Sequence, residues 1–509
     1  MRTRRLCLAV VLVLGSGLVL AYSPHPEAGR SQFRNTPTPV TAAQRAPGST
    51  DLVADLDEIF ADPVIARALV GIRVESLQTG MVLYERNSGK LVMPASNMKI
   101  VTMAAAADRL GWDFRYETRL EHTGRVVDGT LTGDLIVTGS GDPSIMAQDA
   151  GPAALFGEWA AALAAAGIRR IDGRLVGVDN AFDDNGVGAG WEFDDLTLGY
   201  AAPSGALSYN ENVVRIVIAA GKNAGEAARV ETVPPANLFE ITNQVVTTTA
   251  GSTPRIELTR LPFSARLTVR GTMASGGNPI TRTMAVDNPT RFFVEGLAAA
   301  FASRGITIRD GAWDIDDVAE PPGPEGRTQL ARRESLPLSF LAGHFMKDSQ
   351  NFYGEMLLKT LGRAAGGVGS TASGRQAVLD TLTKWSVPTD AVVMRDGSGL
   401  SRQNYVTADA IVIILKHVWN DERLRGRFLS VLPVAGQDGT LESRMRGTIL
   451  NGRVQAKTGT ISNVRSLSGF VDTKSSEKLV FSMIANHFTA ASSAIDGVVE
   501  RALVRLVDR

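Results

Sequence analysis

Hydrophobic and polar positions change period along the chain, and those changes predict its elements. Leu6 to Leu20 is an unbroken apolar run behind Arg2, Arg4 and Arg5, and it ends in small residues around Ala21. That pattern predicts a secretory signal peptide over 1–21, and therefore export to the periplasm. The run is shorter than the ~20 residues a membrane-spanning helix needs. Residues 22–50, rich in proline and small polar groups, read as a disordered leader. A helix is expected from Asp51 to Ala68. Val70 to Glu75 then alternates as a strand, Gln78-Thr79-Gly80 turns, and Met81 to Tyr84 returns. An alanine-rich helix follows to Leu110, with Pro94 and Ala95 in its first turn.

From about residue 115 the texture becomes strand-like. Segments at 135–137, 213–218, 230–233, 239–246, 255–258 and 266–269 are interrupted by one helix over 153–166. Helical runs over 289–303, 336–345, 351–361 and 375–385 come next. Strands near 454–460, 468–472 and 479–486 and a helix over 494–507 close the chain. These elements predict an α/β (α+β) fold. Its antiparallel five-stranded sheet uses the strands at Val70, Met81, Val454, Ser468 and Leu479, with helices on its flanks. Residues 51–119 and 289–509 would form this domain, and 120–288 a β-rich insertion. Because 120–288 holds none of the candidate reactive residues below, it is expected to govern access rather than chemistry.

Composition narrows the choice of chemistry. At 509 residues the chain exceeds one typical core, and its 53 basic and 53 acidic residues cancel, so no global field attracts nucleic acid. The single cysteine, Cys7, lies in the N-terminal apolar run, which leaves a processed chain without thiol ligands or disulfides. His25, His122, His344, His417 and His487 show no metal-ligand spacing, so no metal is expected.

The reactive candidates lie in three short motifs. Ser96 and Lys99 are three apart at a helix start, which sets a hydroxyl beside an amine that can take its proton. Ser349-Gln350-Asn351 joins two helical runs, and Lys457-Thr458-Gly459 lies on a strand. The first two spacings recur, at Ser475–Lys478 in a charged turn and at Ser208–Asn210, whereas Lys-Thr-Gly occurs once. An ordinary lysine, pKa ~10.4, is neutral about once in 2,500 molecules at pH 7, a handicap of ~4.6 kcal/mol. Partial burial and a cation such as Lys457 would lower it. Alternatively Ser349, backed by Lys457, shuttles the proton, and the residues alone do not decide between the two routes. Asn351 can position Lys99 and a substrate carbonyl, and Thr458 can meet a substrate carboxylate. Gly459 would let an extended peptide lie along the strand edge. The N–H groups of Ser96 and Thr460 are candidate oxyanion donors.

Ser-x-x-Lys, Ser-x-Asn and Lys-Thr-Gly in this order are the set found in penicillin-binding proteins and class A β-lactamases. With Gly139-Ser140-Gly141-Asp142-Pro143, Tyr200-Ala201-Ala202-Pro203, Val286-Asp287-Asn288-Pro289, Asp396 to Ser401 and Leu432 to Gly436, the chain resembles the class C low-molecular-mass penicillin-binding proteins. These are D-alanyl-D-alanine carboxypeptidase/endopeptidases. The resemblance implies a transpeptidase-like domain split by an insertion in which a second domain is nested. It also implies that Ser96 is the acyl-ester nucleophile and Lys99 its base, with Ser349, Asn351 and Lys457 completing the site. Peptidoglycan stem peptides would be substrates and β-lactams inhibitors, with no cofactor. The rival readings are a serine β-lactamase and a non-catalytic wall-binding protein. Oligomeric state is not readable.

Overall fold

The computed structural model describes residues 49–146 and 152–509; the expected signal peptide and, up to residue 48, the expected leader lie outside the described residues. Its organising layer is an antiparallel sheet of five strands in the order Val82–Arg86, Leu69–Ser76, Lys478–Asn486, Val464–Asp472, Val454–Ile461. These are the five strands that the sequence pattern predicted, and successive residues of a strand face opposite sides of the sheet, each side with a core of its own. Leu479, Phe481, Met483 and Ala485 share one core with residues of Ser49–Ile59 and Ser492–Val507, the first and last helices. Val480 and Ile484 point the other way, into a larger helical core. Val454–Ile461, which carries Lys457, Thr458 and Gly459, is an edge strand.

That larger core is built around the helix Met98–Leu110, buried from Met98 to Ala107. Its four consecutive alanines let Asn351–Ala364 and Ala408–Asn420 approach closely. Gly111, at φ 79°, ends it in a conformation that costs glycine little. Ser96 does not sit in the α-helix itself. It lies in a 3₁₀ turn, Ala95–Asn97, that feeds directly into it.

Prolines move two other boundaries. The first helix stops at Ile59 rather than Ala68, and Pro63 opens a separate 3₁₀ turn capped by Asp62. The run expected from Leu336 becomes helical at Leu338, after Pro337. Ala408–Asn420 and Glu422–Val431, capped by Thr407 and Asp421, were not anticipated from the pattern.

The middle of the chain forms separate sheets, and among the described residues none of their strands pairs with the five-stranded sheet. They enclose a second core around Phe156, Trp159, Phe292 and Phe293. The boundary expected at 288/289 falls too early. Pro289–Ala302 buries Phe292, Phe293, Val294 and Leu297 in that second core. The chain leaves only through Thr328–Glu334, which pairs antiparallel with the entering strand Glu117–His122. An amphipathic pattern shows that a helix has a buried face, but not which core receives it.

Candidate active site

The 3₁₀ turn brings Ser96 to the edge strand, and small residues make the approach possible. A Cβ on Gly459 would stand 2.2 Å from Ser466 Oγ, 2.8 Å from the Pro94 carbonyl and 3.0 Å from the Ser96 nitrogen. The glycine is therefore required by the Ser96 turn packed against it, which is a different reason from the room for a peptide expected above. Ser466 Oγ donates to the Pro94 carbonyl at 2.7 Å, and Asn97 Nδ2 donates to the Lys457 carbonyl at 2.8 Å. Ala95, at φ 46°, holds the turn in a left-handed conformation that is sparsely populated for a non-glycine residue.

Lys99 lies wholly buried beneath Ser96. Its Nζ donates to Ser96 Oγ at 2.8 Å, Asn351 Oδ1 at 2.7 Å and the Ser398 carbonyl at 2.8 Å. Burial lowers it to about 7, against the carboxylates of Asp396 and Glu355, which favour its charged form. Lys457, also wholly buried, donates to Ser349 Oγ at 2.8 Å and to the Thr458 carbonyl at 3.0 Å. It is held well below its ordinary value, first by burial and then by the charge of Lys99. Loss of water is the largest influence on both lysines, and the repulsion between them acts in the same downward direction.

Ser349 adopts φ 62° at the junction of its two helices. Asn351 opens the second helix and uses both ends of its amide, accepting from Lys99 and donating Nδ2 to the Tyr200 carbonyl at 2.9 Å. Thr458 Oγ1 bonds Thr440 Oγ1 at 2.7 Å, and Arg465 donates to Thr460 Oγ1. Ser96, Ser349, Asn351, Thr458 and Thr460 line one cleft of about 570 Å³. All eight residues singled out from the sequence therefore converge here, Lys99, Lys457 and Gly459 as its floor and edge.

Sequence reading missed the groups that hold this floor in place. Glu355, one helical turn after Asn351, accepts the N–H groups of Gly397 and Ser398 at 3.1 and 2.9 Å. Asp396 accepts from Gly399 N at 2.8 Å, Ser401 N at 2.6 Å and Asn404 Nδ2 at 2.7 Å. Together they fix the loop whose Ser398 carbonyl takes Lys99. Burial, then the charge of Asp396, raises Glu355 to about 7. The one available signal was the spacing of Asn351 and Glu355, four apart on one helix face. A substituent on Gly399, at φ 87°, would stand 1.9 Å from the Ala95 carbonyl, so this loop also abuts the Ser96 turn.

The middle of the chain takes part as well. Glu192, Asp195 and Tyr200 line the cleft. Trp191 Nε1 donates to Asp396 Oδ2 at 2.9 Å, and Arg402 Nε to Glu192 Oε1 at 2.7 Å. This region, expected to govern access rather than chemistry, thus borders the cleft and contacts Asp396 beneath it. Elsewhere, Asp179, Asp314 and Asp316 bring carboxylate oxygens within 4.8 Å of one another, a group that could hold a cation. They line a separate cavity of about 290 Å³ and share no residue with the cleft.

Comparison with known proteins shows the family and the fold. The family model for the D-Ala-D-Ala carboxypeptidase 3 (S13) family matches residues 52–506. A D-alanyl-D-alanine carboxypeptidase of Actinomadura sp. (strain R39) is 33% identical over 88% of this chain and 84% of its own. A penicillin-sensitive carboxypeptidase A of Dictyostelium discoideum is 25% identical over 83% of each. The crystal structure of penicillin binding protein 4 (dacB) from Haemophilus influenzae superposes with a TM-score of 0.75 at 25% identity. It covers 91% of this chain and 100% of that one. The Haemophilus protein is also known complexed with a β-lactam, at a TM-score of 0.69, 25% identity and coverage of 86% and 94%.

Proposed function

The chain belongs to the D-Ala-D-Ala carboxypeptidase 3 (S13) family, and from that membership we propose that it works through an acyl-enzyme on Ser96. It is a serine-type D-Ala-D-Ala carboxypeptidase on a penicillin-binding-protein fold. The observation that carries the mechanism is Lys99 Nζ, buried and held 2.8 Å from Ser96 Oγ. An amine lowered to about 7 is substantially neutral at that pH, which removes most of the ~4.6 kcal/mol handicap of an ordinary lysine.

In this reading a peptidoglycan stem peptide lies in the cleft with its penultimate D-alanyl carbonyl at Ser96. Lys99 takes the hydroxyl proton as the Oγ–C bond forms, and N–H donors from the Ser96 turn and from Thr460 stabilise the oxyanion. The C–N bond then breaks, and the departing D-alanine amine receives, through Ser349, the proton that Lys99 took from Ser96, while Lys457 holds Ser349 in place. Water attacks the ester, the Oγ–C bond breaks, and the proton returns to Ser96; one water is consumed per peptide bond cut. Direct contact of Lys99 with Ser96, and of Lys457 with Ser349, supports Lys99 as the acylation base and Ser349 as the relay to the leaving group. Endopeptidase cleavage of a D-alanyl cross-link is the same chemistry with a longer leaving amine. β-Lactams would acylate Ser96 as inhibitors, a reading supported by the β-lactam complex of the Haemophilus relative. The apolar run over Leu6–Leu20 supports action in the periplasm, which fractionation would test.

Incubation with a labelled penicillin, location of the adduct by mass spectrometry and timing of its loss test the whole reading. A persistent adduct on Ser96 is expected. Loss within seconds would mean a β-lactamase, and no adduct a non-catalytic wall-binding protein.

A further inference from the structure

Ser349 lies between two helices, Leu338–Lys347 and Asn351–Ala364, and it adopts a left-handed backbone at φ 62°. Such a residue persists only where its surroundings over-determine it. One side chain from the middle of the chain touches both of those helices. Glu211 Oε1 accepts from His344 Nε2, on the first helix, at 2.7 Å. Its Oε2 accepts from Gln350 Nε2, at the start of the second, at 2.6 Å. The other end of the Gln350 amide caps that second helix, Oε1 accepting from the Phe352 nitrogen. Both ends of the Gln350 side chain are therefore committed, and the residue between Ser349 and Asn351 cannot turn.

Glu211 is itself held with unusual care. Asn210, Glu211 and Asn212 are left-handed in succession, at φ 52°, 54° and 55°. Asn212 fixes the turn, its Nδ2 donating to the Pro203 carbonyl at 2.9 Å and to Ser208 Oγ at 3.0 Å. The second Ser-x-Asn of the sequence, Ser208-Tyr209-Asn210, thus leads into this turn and lies outside the cleft. Glu211 is 9% exposed in a region otherwise separate from the catalytic sheet. A buried carboxylate presented on three non-glycine left-handed residues is costly as a mere surface contact.

We propose that Glu211 is a positioning residue for the acylation reaction: by bracketing the two helices that flank Ser349, it fixes Ser349 and Asn351 against Lys457 and Lys99. The inference rests on the Ser96 acyl-enzyme reading. It assigns no contact with substrate to Glu211, which acts through Gln350. The carboxylate also keeps His344 charged up to about 9, helped by Asp348 at 2.7 Å, so the bracket stays ionic across the working range.

The test is a double-mutant cycle of Glu211→Ala and Gln350→Ala, read as penicillin acylation of Ser96 with binding and chemistry separated by stopped-flow. A small displacement of a catalytic group can cost about 10²-fold, so each single variant should lose roughly 10- to 100-fold in the acylation step. Initial binding should stay within about threefold. The double variant should lose no more than the worse single one, because both changes break the same link, whereas independent effects would multiply. Glu211→Gln, which keeps one acceptor, should recover part of the loss. If Glu211→Ala does not fold, Gln350→Ala with Glu211→Gln carries the cycle. Native-like acylation in the variants, multiplying losses, or a loss confined to binding would overturn the inference while leaving Ser96 as nucleophile. Failure of the native chain to form an adduct on Ser96 would overturn the functional reading and this inference with it.

Discussion

Two stretches of this chain set a lysine three residues after a serine. At Ser96 the spacing runs from a 3₁₀ turn into a buried helix, so Lys99 Nζ reaches Ser96 Oγ at 2.8 Å and is sealed from water. At Ser475 it spans the turn between the strands Val464–Asp472 and Lys478–Asn486. There Ser475 Oγ bonds Thr473 Oγ1 at 2.9 Å, and Lys478 turns to Asp472 at 2.6 Å with its ammonium over the Trp419 ring. The spacing supplies proximity only on a helix, and proximity supplies reactivity only where burial unsettles the amine.

The comparison can be broken most directly at the serines. Ser96→Ala should abolish covalent labelling by penicillin, and Ser475→Ala should leave it at the native rate; gel fluorescence with a labelled penicillin reads both. Nearly as large is the effect of the amines. Lys99→Met should remove acylation at least 10²-fold, whereas Lys478→Met should cost a partly exposed ion pair and a cation–π contact, about 1–2 kcal/mol of stability by denaturant titration, and leave acylation unchanged.

The lowered lysine also predicts a pH profile. Acylation needs neutral Lys99, so its rate should climb about tenfold per pH unit from pH 5 and level off above about 7. A limb near 10 would mean that burial does not act as described. Glu355 and Asp396 favour the charged amine, so Glu355→Gln should move that limb to lower pH; a shift to higher pH would reject the assignment.

Steric contact gives a smaller effect. Gly459→Ala pushes a Cβ onto Ser466 Oγ and the Pro94 carbonyl, and should cost about 1–3 kcal/mol of stability together with slower acylation. Smallest is Trp191→Phe, which removes one N–H from Asp396 while Ser401 still satisfies the same oxygen. A fewfold loss of acylation is expected, in line with a hydrogen bond worth about 0.5–1.5 kcal/mol. No loss at all would return the middle of the chain to the role of a remote gate.

The sequence by itself determined the sheet, because 69–76, 454–461, 464–472 and 478–486 are short strand-forming runs bounded by turns and buried on both faces. It also marked out the candidate residues that converge on the cleft, since Ser96 with Lys99, Ser349 with Asn351, and Lys457 are local motifs with local geometry. Only the tertiary structure decided which core receives Pro289–Ala302, since its apolar stripe would fit either. Only it decided that Gly459 makes room for the Ser96 turn, that Glu355 and Asp396 hold the loop above Lys99, and that Tyr200, Trp191 and Glu211 reach the site from the middle of the chain. The reason is a shared one. Apart from the bonds of Asp396 within its own loop, each depends on a contact between residues tens to hundreds of positions apart, often through a backbone carbonyl or N–H, and such groups leave no mark in the pattern of side chains.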